Sequence, residues 1–210
     1  QNGGKIMNAD ATDVAFASPE GYEAMTYWKS LIDEKLMPPA QHKTVSDVFI
    51  AGKVAFLYSS TGNVGKVLSG AKFDWNTAFL PKNKKYAVTV GGAQLALFPS
   101  TPEKEKAAWT FLKWLLNKEN VAKWTAKTGY VPVRKSAMNS PELLKLFADQ
   151  PQYKAGFEQL QYGETYPHFW EMGQMDATFA TIIEKMELGK ASPKEALDEA
   201  AATMRKQMKK

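Results

Sequence analysis

Residues 124–137 read WTAKTGYVPVRKSA, and this stretch decides how the rest of the chain is interpreted. A helical pattern that includes Trp124 runs into Thr128-Gly129-Tyr130, and Pro132 cannot continue a helix because its ring clashes with the preceding turn. Glycine commonly ends helices, so the sequence predicts a helix end at Gly129. The pattern alone does not explain why an aromatic side chain, Tyr130, follows that end immediately.

The composition is that of a globular chain without a membrane span. Of 210 residues, 44% are hydrophobic and 23% are charged, and no apolar run approaches the roughly 20 residues that a transmembrane helix requires. The net charge is +5, but 27 Lys and Arg are dispersed among 22 Asp and Glu, so we expect no nucleic-acid partner. The absence of cysteine excludes disulfides and thiolate ligands. The first residues show no signal-peptide pattern.

Four predicted helix starts share one pattern, a Ser or Thr followed by Pro. The hydroxyl can cap the helix, and Pro is favoured at the first helical position. The four are Ser18-Pro19, Thr101-Pro102, Ser140-Pro141 and Ser192-Pro193. Apolar stripes at helical spacing are expected to lie in the core. They are Tyr22, Met25, Trp28, Leu31 and Ile32; Ala108, Phe111, Leu112 and Leu115, continued by Val121 and Trp124 to Gly129; Met175, Phe179, Ile182 and Met186; and Leu197, Ala200 and Met204.

Three apolar segments between the helices are predicted to be strands. They are rich in Val and aromatic residues and are bounded by turn residues. The segments are Lys53–Ser59, Trp75–Leu80 and Ala87–Phe98. Because helices and strands alternate along the chain, the pattern predicts an α/β architecture with covered sheets.

Several catalytic and metal-binding patterns fail. STGNVGKV, residues 60–67, resembles a phosphate loop, but Ser60 stands where the first glycine is needed and Val67 where a hydroxyl is needed. The two histidines, His42 and His168, are too far apart to suggest a zinc site or a catalytic relay. One polar turn misses the spacing of a calcium loop: Asn8, Asp10 and Asp13. We therefore expect no cofactor, metal or catalytic residue, although distant carboxylates could still form a glycosidase pair.

Three features suit the binding of a polar, flat molecule. Ser59–Asn63, SSTGN, is predicted to open a helix and could contact a ligand or simply cap that helix. Gly91-Gly92 within a strand pattern indicates either a close ligand or a bulge. YPHFWEMGQMD, residues 166–176, could stack aromatic rings on a sugar or pack them under a loop. The residues alone do not decide between these alternatives.

Five segments in order resemble solute-binding proteins that serve ABC importers of sugars. The most specific parts are Phe49–Ala55 and Thr128–Val133, the latter followed by Ala137. Among the members, the chain is most similar to the oligosaccharide and glycerol-3-phosphate types. The segments are DVFIAGKVAFLYSSTGN (47–63), FDWNTAFLPKN (73–83), VGGAQLALF (90–98), AAWTFLKWLLNKENVAKWTAKTGYVPVRKSA (107–137) and GKASPKEALDEA (189–200).

The resemblance implies a periplasmic-binding-protein type II fold, with two α/β lobes joined by a hinge and a ligand in the cleft between them. This chain resembles the C-terminal half. By resemblance, the helix ends at Gly129 so that Tyr130 faces the cleft. The implied ligand-binding residues are Ser59, Ser60, Thr61, Asn63, Gly91, Gly92, Tyr130, His168 and Trp170.

The substrate expected from the resemblance is a neutral carbohydrate. Phosphate-binding members place an arginine in the segment that here reads Pro167–Trp170, and a dianion would be expected to need such a charged fork. Glycerol-3-phosphate or a related organophosphate is the alternative. The implied partners are the ABC permease subunits, and the implied location is the periplasm or the outer face of the cytoplasmic membrane.

Family members are about twice as long, so we expect a fragment or one chain of a larger whole. The resemblance assigns residues 1–78 to the C-terminal lobe, residues 79–128 to a segment that crosses the hinge into the N-terminal lobe, and residues 129–210 to the return and closing helices. Without the other half, the region from Ala87 to Trp124 should expose several Trp side chains. We expect a monomer that is completed by the missing N-terminal half.

Three classes of function are compatible with these observations. A binding module predicts no turnover and a rise in melting temperature with ligand. A glycosidase predicts product and two facing carboxylates. A pure interaction domain predicts that Tyr130 and Trp170 lie in packed core. The binding module is the function that the resemblance favours.

Overall fold

The computed structural model describes residues 1–40, 44–165 and 172–208. The helices are α1 (Pro19–Asp33), α2 (Val45–Ile50), α3 (Val64–Gly70), α4 (Pro102–Leu115), α5 (Lys118–Thr128), α6 (Pro141–Asp149), α7 (Lys154–Gln159), α8 (Met172–Glu187) and α9 (Pro193–Met208). Strands β1 (Val88–Val90) and β2 (Gly163–Thr165) pair with one another. Short 3-10 turns span Thr61–Asn63, Lys135–Ala137, Pro151–Tyr153 and Leu160–Tyr162.

The chain forms two compact units. Unit 1 comprises Gln1–Lys43, Pro81–Thr89 and Glu164–Lys210, and unit 2 comprises Thr44–Leu80 and Val90–Gly163. These boundaries reflect contacts within the chain and differ from the predicted segments 1–78, 79–128 and 129–210. The assignment of those segments to lobes of a longer protein stays a prediction.

All four predicted helix starts are confirmed. In α1, α4, α6 and α9 the Ser or Thr before the Pro uses its hydroxyl to accept a backbone N–H from the first turn. Each such bond satisfies one of the donors that a helix start leaves unpaired. Two helix ends are also set by neighbouring residues. Gly129 follows α5 and Gly189 follows α8, with φ of 74° and 73°, in the left-handed region that favours glycine.

The core of unit 1 lies between α8 and α9, with α1 packed against both. The predicted stripes of α8 and α9 are buried apart from Phe179, which is partly buried, and Met175, Met186 and Met204 have no exposed surface. The α1 stripe covers this core from one side through Tyr22, Met25 and Trp28, which are partly buried. Met7, Val14 and Phe16 close the core from the N-terminal segment. The predicted core faces of α8 and α9 are therefore confirmed.

Unit 2 has a smaller core where α5 packs against α6. Its buried members are Val121, Ala122, Ala137 and Leu143. The stripe that begins at Pro102 was expected to continue to Gly129 in the core; this is confirmed for Val121 and wrong for α4 and for Trp124, which is 59% exposed. The chain breaks after α4, because Asn117 caps a new helix by accepting the N–H of Asn120 at 2.8 Å. All residues of α4 are described and none of them is buried, and Phe111 is 55% exposed.

Two predicted strands are wrong and the third is much shorter. Lys53–Ser59 and Trp75–Leu80 form no strand, and only Val88–Val90 of the third segment pairs. A strand requires a partner for its backbone, and side chains replace that partner along Trp75–Leu80. The buried amide of Gln159 donates to Leu80 O at 3.2 Å and accepts from Leu80 N at 3.0 Å.

No helix in the described ranges combines the length and the apolar character needed to cross a bilayer.

Candidate functional site

The turn at Ser59–Asn63 forms as predicted and leads directly into α3. Ser60 caps the 3-10 turn, its hydroxyl accepting the N–H of Gly62 at 3.3 Å. The amide of Asn63 donates to the Ser59 hydroxyl at 2.7 Å. The sequence left open that this turn caps the following helix, and that is wrong: Ser60 caps the 3-10 turn, whereas Asn63, the N-cap of α3, makes no side-chain cap bond. Three hydroxyls and one amide are concentrated in five residues.

Tyr130 is presented at the surface by the end of α5. The left-handed conformation of Gly129 ends the helix, and the next side chain turns outwards with 47% of its surface exposed. The Tyr130 N–H donates to the Thr128 hydroxyl at 3.3 Å, which closes the end of the helix. An exposed Tyr130 is contrary to a pure interaction domain in which this residue would be core.

The structure brings the turn and Tyr130 together within unit 2. A β-carbon built on Gly62 would lie 3.6 Å from Cε2 of Tyr130, so the ring lies beside the turn, at van der Waals distance from the place that such a carbon would occupy. Gly129 lies closer still to the turn, because a β-carbon there would be 2.6 Å from the carbonyl oxygen of Thr61. We call the turn Ser59–Asn63 together with Tyr130 the candidate site.

The candidate site rests on the buried side chain of Tyr153. Its Cε1 would be 3.1 Å from a β-carbon on Gly129, and its hydroxyl oxygen 3.3 Å from one on Gly65. Burial raises the pKa of the Tyr153 phenol above its ordinary value, so this support stays uncharged in neutral solution. The candidate site itself contains no ionisable carboxylate or amine.

Gly91 and Gly92 stand in an exposed, extended segment after β1. A β-carbon built on either residue would meet no atom within 4 Å among the described residues. No strand of the described chain pairs with this segment, so a bulge, one of the two alternatives for the glycine pair, has no ladder to interrupt. The structure does not bring Gly91 and Gly92 into contact with the candidate site, and their ligand role stays a prediction.

His168 and Trp170 lie outside the described residues, as do His42 and the rest of residues 166–171 of the aromatic stretch 166–176. Within residues 1–40, 44–165 and 172–208, no cluster of His, Asp and Glu has the arrangement of a metal site.

Sequence reasoning missed the residues that support the turn. Gly156 in α7 is one of them, since a β-carbon there would lie 2.5 Å from Cγ2 of Thr61. Tyr153 is another. The sequence did contain a signal for Gly156. Glycine destabilises helix interiors, so a glycine inside a helix indicates that another group packs closely against it.

Comparison with known proteins defines the class. Residues 2–155 match the model of the bacterial extracellular solute-binding protein family. The chain belongs to this family, which confirms the resemblance.

Among individual relatives, the galactooligosaccharide-binding protein of Bacillus subtilis is 29% identical over 167 residues, which are 79% of this chain and 38% of that protein. The sn-glycerol-3-phosphate-binding periplasmic protein of Escherichia coli K12 is 27% identical over 169 residues, 74% of this chain and 38% of that protein. Both relatives are binding proteins.

A solved structure extends the likeness over the whole chain. The cyclic alpha-maltosyl-1,6-maltose binding protein of Arthrobacter globiformis is 30% identical, with a TM-score of 0.87 over 100% of this chain and 53% of that one. The predicted fold class is thereby confirmed. The chain spans about half the length of this solved protein and 38% of each of the two relatives.

Proposed function

We propose that the chain belongs to the substrate-binding component of an ABC-type sugar importer, which binds a carbohydrate between two lobes and delivers it to the permease. The observation that carries the proposal is the contact between the exposed ring of Tyr130 and the hydroxyl-rich turn. An apolar ring beside several hydroxyl and amide groups offers both kinds of contact that a sugar makes.

A neutral ligand suits the candidate site better than a dianion. Its side chains are hydroxyls, one amide and one phenol, with no carboxylate, ammonium or guanidinium group among them. The nearby Lys66 is paired with Asp47 at 2.6 Å. A phosphate would favour a free guanidinium or ammonium group. The sugar-binding relatives support this choice.

Glycerol-3-phosphate or a related organophosphate is the second candidate. It is favoured by the likeness to the sn-glycerol-3-phosphate-binding protein of Escherichia coli, which is 27% identical. Under either proposal the protein acts outside the cytoplasmic membrane, as a monomer that binds without catalysis and is recognised by permease subunits.

We also propose that the N-terminal half of the family fold covers an apolar face of unit 2. In α4 and the segment before it, six large apolar side chains are exposed. The extended backbone at 91–98 is unpaired within the described chain, as an incomplete sheet would be. The face consists of Leu95, Leu97, Phe98, Trp109, Phe111 and Trp114.

Covering this face should change tryptophan accessibility. In the 210-residue chain, acrylamide should quench much of the tryptophan fluorescence, because Trp109 and Trp114 are 53% and 57% exposed. In the complete gene product that carries these residues, quenching should fall by about half, since half-exposed rings would become core. Equal quenching in both proteins would contradict the proposal. So would a 210-residue chain whose tryptophans are protected from quenching because it forms a dimer, which light scattering would detect.

The ligand proposal is tested by thermal shift on the complete gene product, with product analysis of every hit. Maltotriose, galactooligosaccharides and glycerol-3-phosphate are the probes. A saccharide that raises the melting temperature and is recovered unchanged supports the sugar proposal. A rise with glycerol-3-phosphate alone supports the alternative, and a hydrolysed saccharide contradicts both.

Tyr130→Ala should weaken binding of the saccharide hit about tenfold, because it removes a ring that stacks on the sugar, worth about 1.4 kcal/mol. Isothermal titration calorimetry measures the change. Tyr27→Ala is the matched control, since Tyr27 is also an exposed tyrosine but lies on α1 in unit 1. Unchanged affinity in Tyr130→Ala would remove this residue from the binding site.

A further inference from the structure

Thr61 is held between two glycines that come from different segments of unit 2. A β-carbon on Gly156 in α7 would lie 2.5 Å from Cγ2 of Thr61, and one on Gly129 would lie 2.6 Å from the Thr61 carbonyl oxygen. β-Carbons in proteins do not approach other atoms so closely. Both the side chain and the backbone of Thr61 therefore fit into spaces that only glycine leaves open.

The conformation of α7 does not explain the glycine at position 156. Gly156 lies inside a helix and is absent from the glycines of this chain that have positive φ. In such a place glycine is less favourable than alanine, because it loses more conformational entropy on folding. The close methyl group of Thr61 is the feature that accounts for it.

Fixing the methyl group also fixes the hydroxyl. Both are attached to the β-carbon of Thr61 and occupy different staggered positions, so the direction of one sets that of the other. The neighbouring hydroxyls of Ser59 and Ser60 accept hydrogen bonds from within the turn. For Thr61 Oγ1 the structure records no hydrogen bond to any other described residue.

We propose that Gly156 is a positioning residue: by admitting the Thr61 methyl group it aims the Thr61 hydroxyl at the bound saccharide. The inference rests on the proposed function, in which Thr61 is a ligand contact. Gly156 itself touches the ligand through no atom and acts only through Thr61.

The first test is a stability comparison without ligand, in the 210-residue chain. Gly156→Ala should lower the melting temperature by about 5 °C when residue 61 is Thr, because the new methyl group meets Cγ2. In a Thr61→Ser background the same substitution should not lower it, since the obstructing methyl group is gone. Gly173→Ala in α8, where a β-carbon would meet nothing within 4 Å, is the control for helix propensity.

An equal effect of Gly156→Ala in the Thr61 and Thr61→Ser backgrounds would overturn the proposal, because the glycine would then not serve the methyl group.

The second test measures the Kd for maltotriose by calorimetry. Gly156→Ala should weaken binding about tenfold, and adding Thr61→Ser should restore it only in part, because the serine hydroxyl fits beside the alanine but has no methyl group to hold its direction. Thr61→Val keeps the methyl group that packs on Gly156, so its melting temperature should stay within about 2 °C of the wild type, but binding should weaken about tenfold because the hydroxyl is lost.

If Gly156 had only a structural role, Gly156→Ala would lower the melting temperature, and adding Thr61→Ser would not improve its binding of the saccharide. Wild-type affinity in Thr61→Val would mean that the ligand does not use the Thr61 hydroxyl, which would overturn the proposal. Failure of the wild type to bind both maltotriose and galactooligosaccharides would contradict the proposed sugar-binding function, and with it the ligand role of Thr61. The stability comparison separately decides whether Gly156 fixes Thr61.

Discussion

Gly129→Ala is expected to lower the free energy of unfolding by about 4 kcal/mol, the largest effect of any single methyl group considered for this chain. Two costs add at this position. The backbone has φ of 74°, which disfavours any residue with a β-carbon, and the added atom would lie 2.6 Å from the Thr61 carbonyl oxygen. A backbone oxygen cannot rotate away as a long side chain can, so the turn itself must move.

Gly189→Ala separates these two costs. Gly189 ends α8 with φ of 73°, yet a β-carbon there would meet nothing within 4 Å. Its substitution should cost about 1 kcal/mol, the conformational part alone. Urea denaturation followed by circular dichroism measures both variants. If Gly129→Ala costs no more than Gly189→Ala, then the end of α5 does not pack on the turn, and the candidate site loses its internal support.

Leu143→Ala is expected to lower the free energy of unfolding by about 3 kcal/mol, the usual cost of a cavity at a fully buried leucine. Leu143 has no exposed surface and packs with Val121 and Ala122 of α5 and with Ala137. The core of unit 2 is small, so little neighbouring structure is available to fill the space. Gly129 ends α5 and Tyr130 follows it, so a loosened core should also leave the position of the Tyr130 side chain less fixed.

Leu144→Ala is the control for Leu143→Ala. The two leucines are adjacent in α6 and share its helix propensity, but Leu144 is 55% exposed. Its substitution should change the free energy of unfolding by less than about 0.5 kcal/mol. Equal losses in the two variants would mean that α6 does not pack through Leu143.

The helices could be predicted from the sequence because their signals are local. Ser18, Ser140 and Gly189 act on the few residues around them, and the stripes of α8 and α9 describe a face that the same chain buries. The turn before α3 and the exposed Tyr130 at the end of α5 follow from equally local signals.

The strands could not be predicted as reliably, because a strand depends on a partner elsewhere. Trp75–Leu80 has the composition of a strand, but the backbone N–H and carbonyl of Leu80 pair with the side chain of Gln159, 79 residues away. The α4 stripe has the pattern of a core helix, but nothing in the described chain buries it. The role of Gly156 likewise becomes visible only once α7 lies against Thr61.

The central claim is that the turn Ser59–Asn63 and Tyr130 grip a saccharide together without altering it. Nuclear magnetic resonance of the ¹⁵N-labelled protein during a maltotriose titration tests this most directly. The account predicts saturable shifts concentrated at the amides of these residues, with the sugar recovered intact. Saturable shifts that leave both places unchanged, or maltotriose cleaved during the titration, would contradict it.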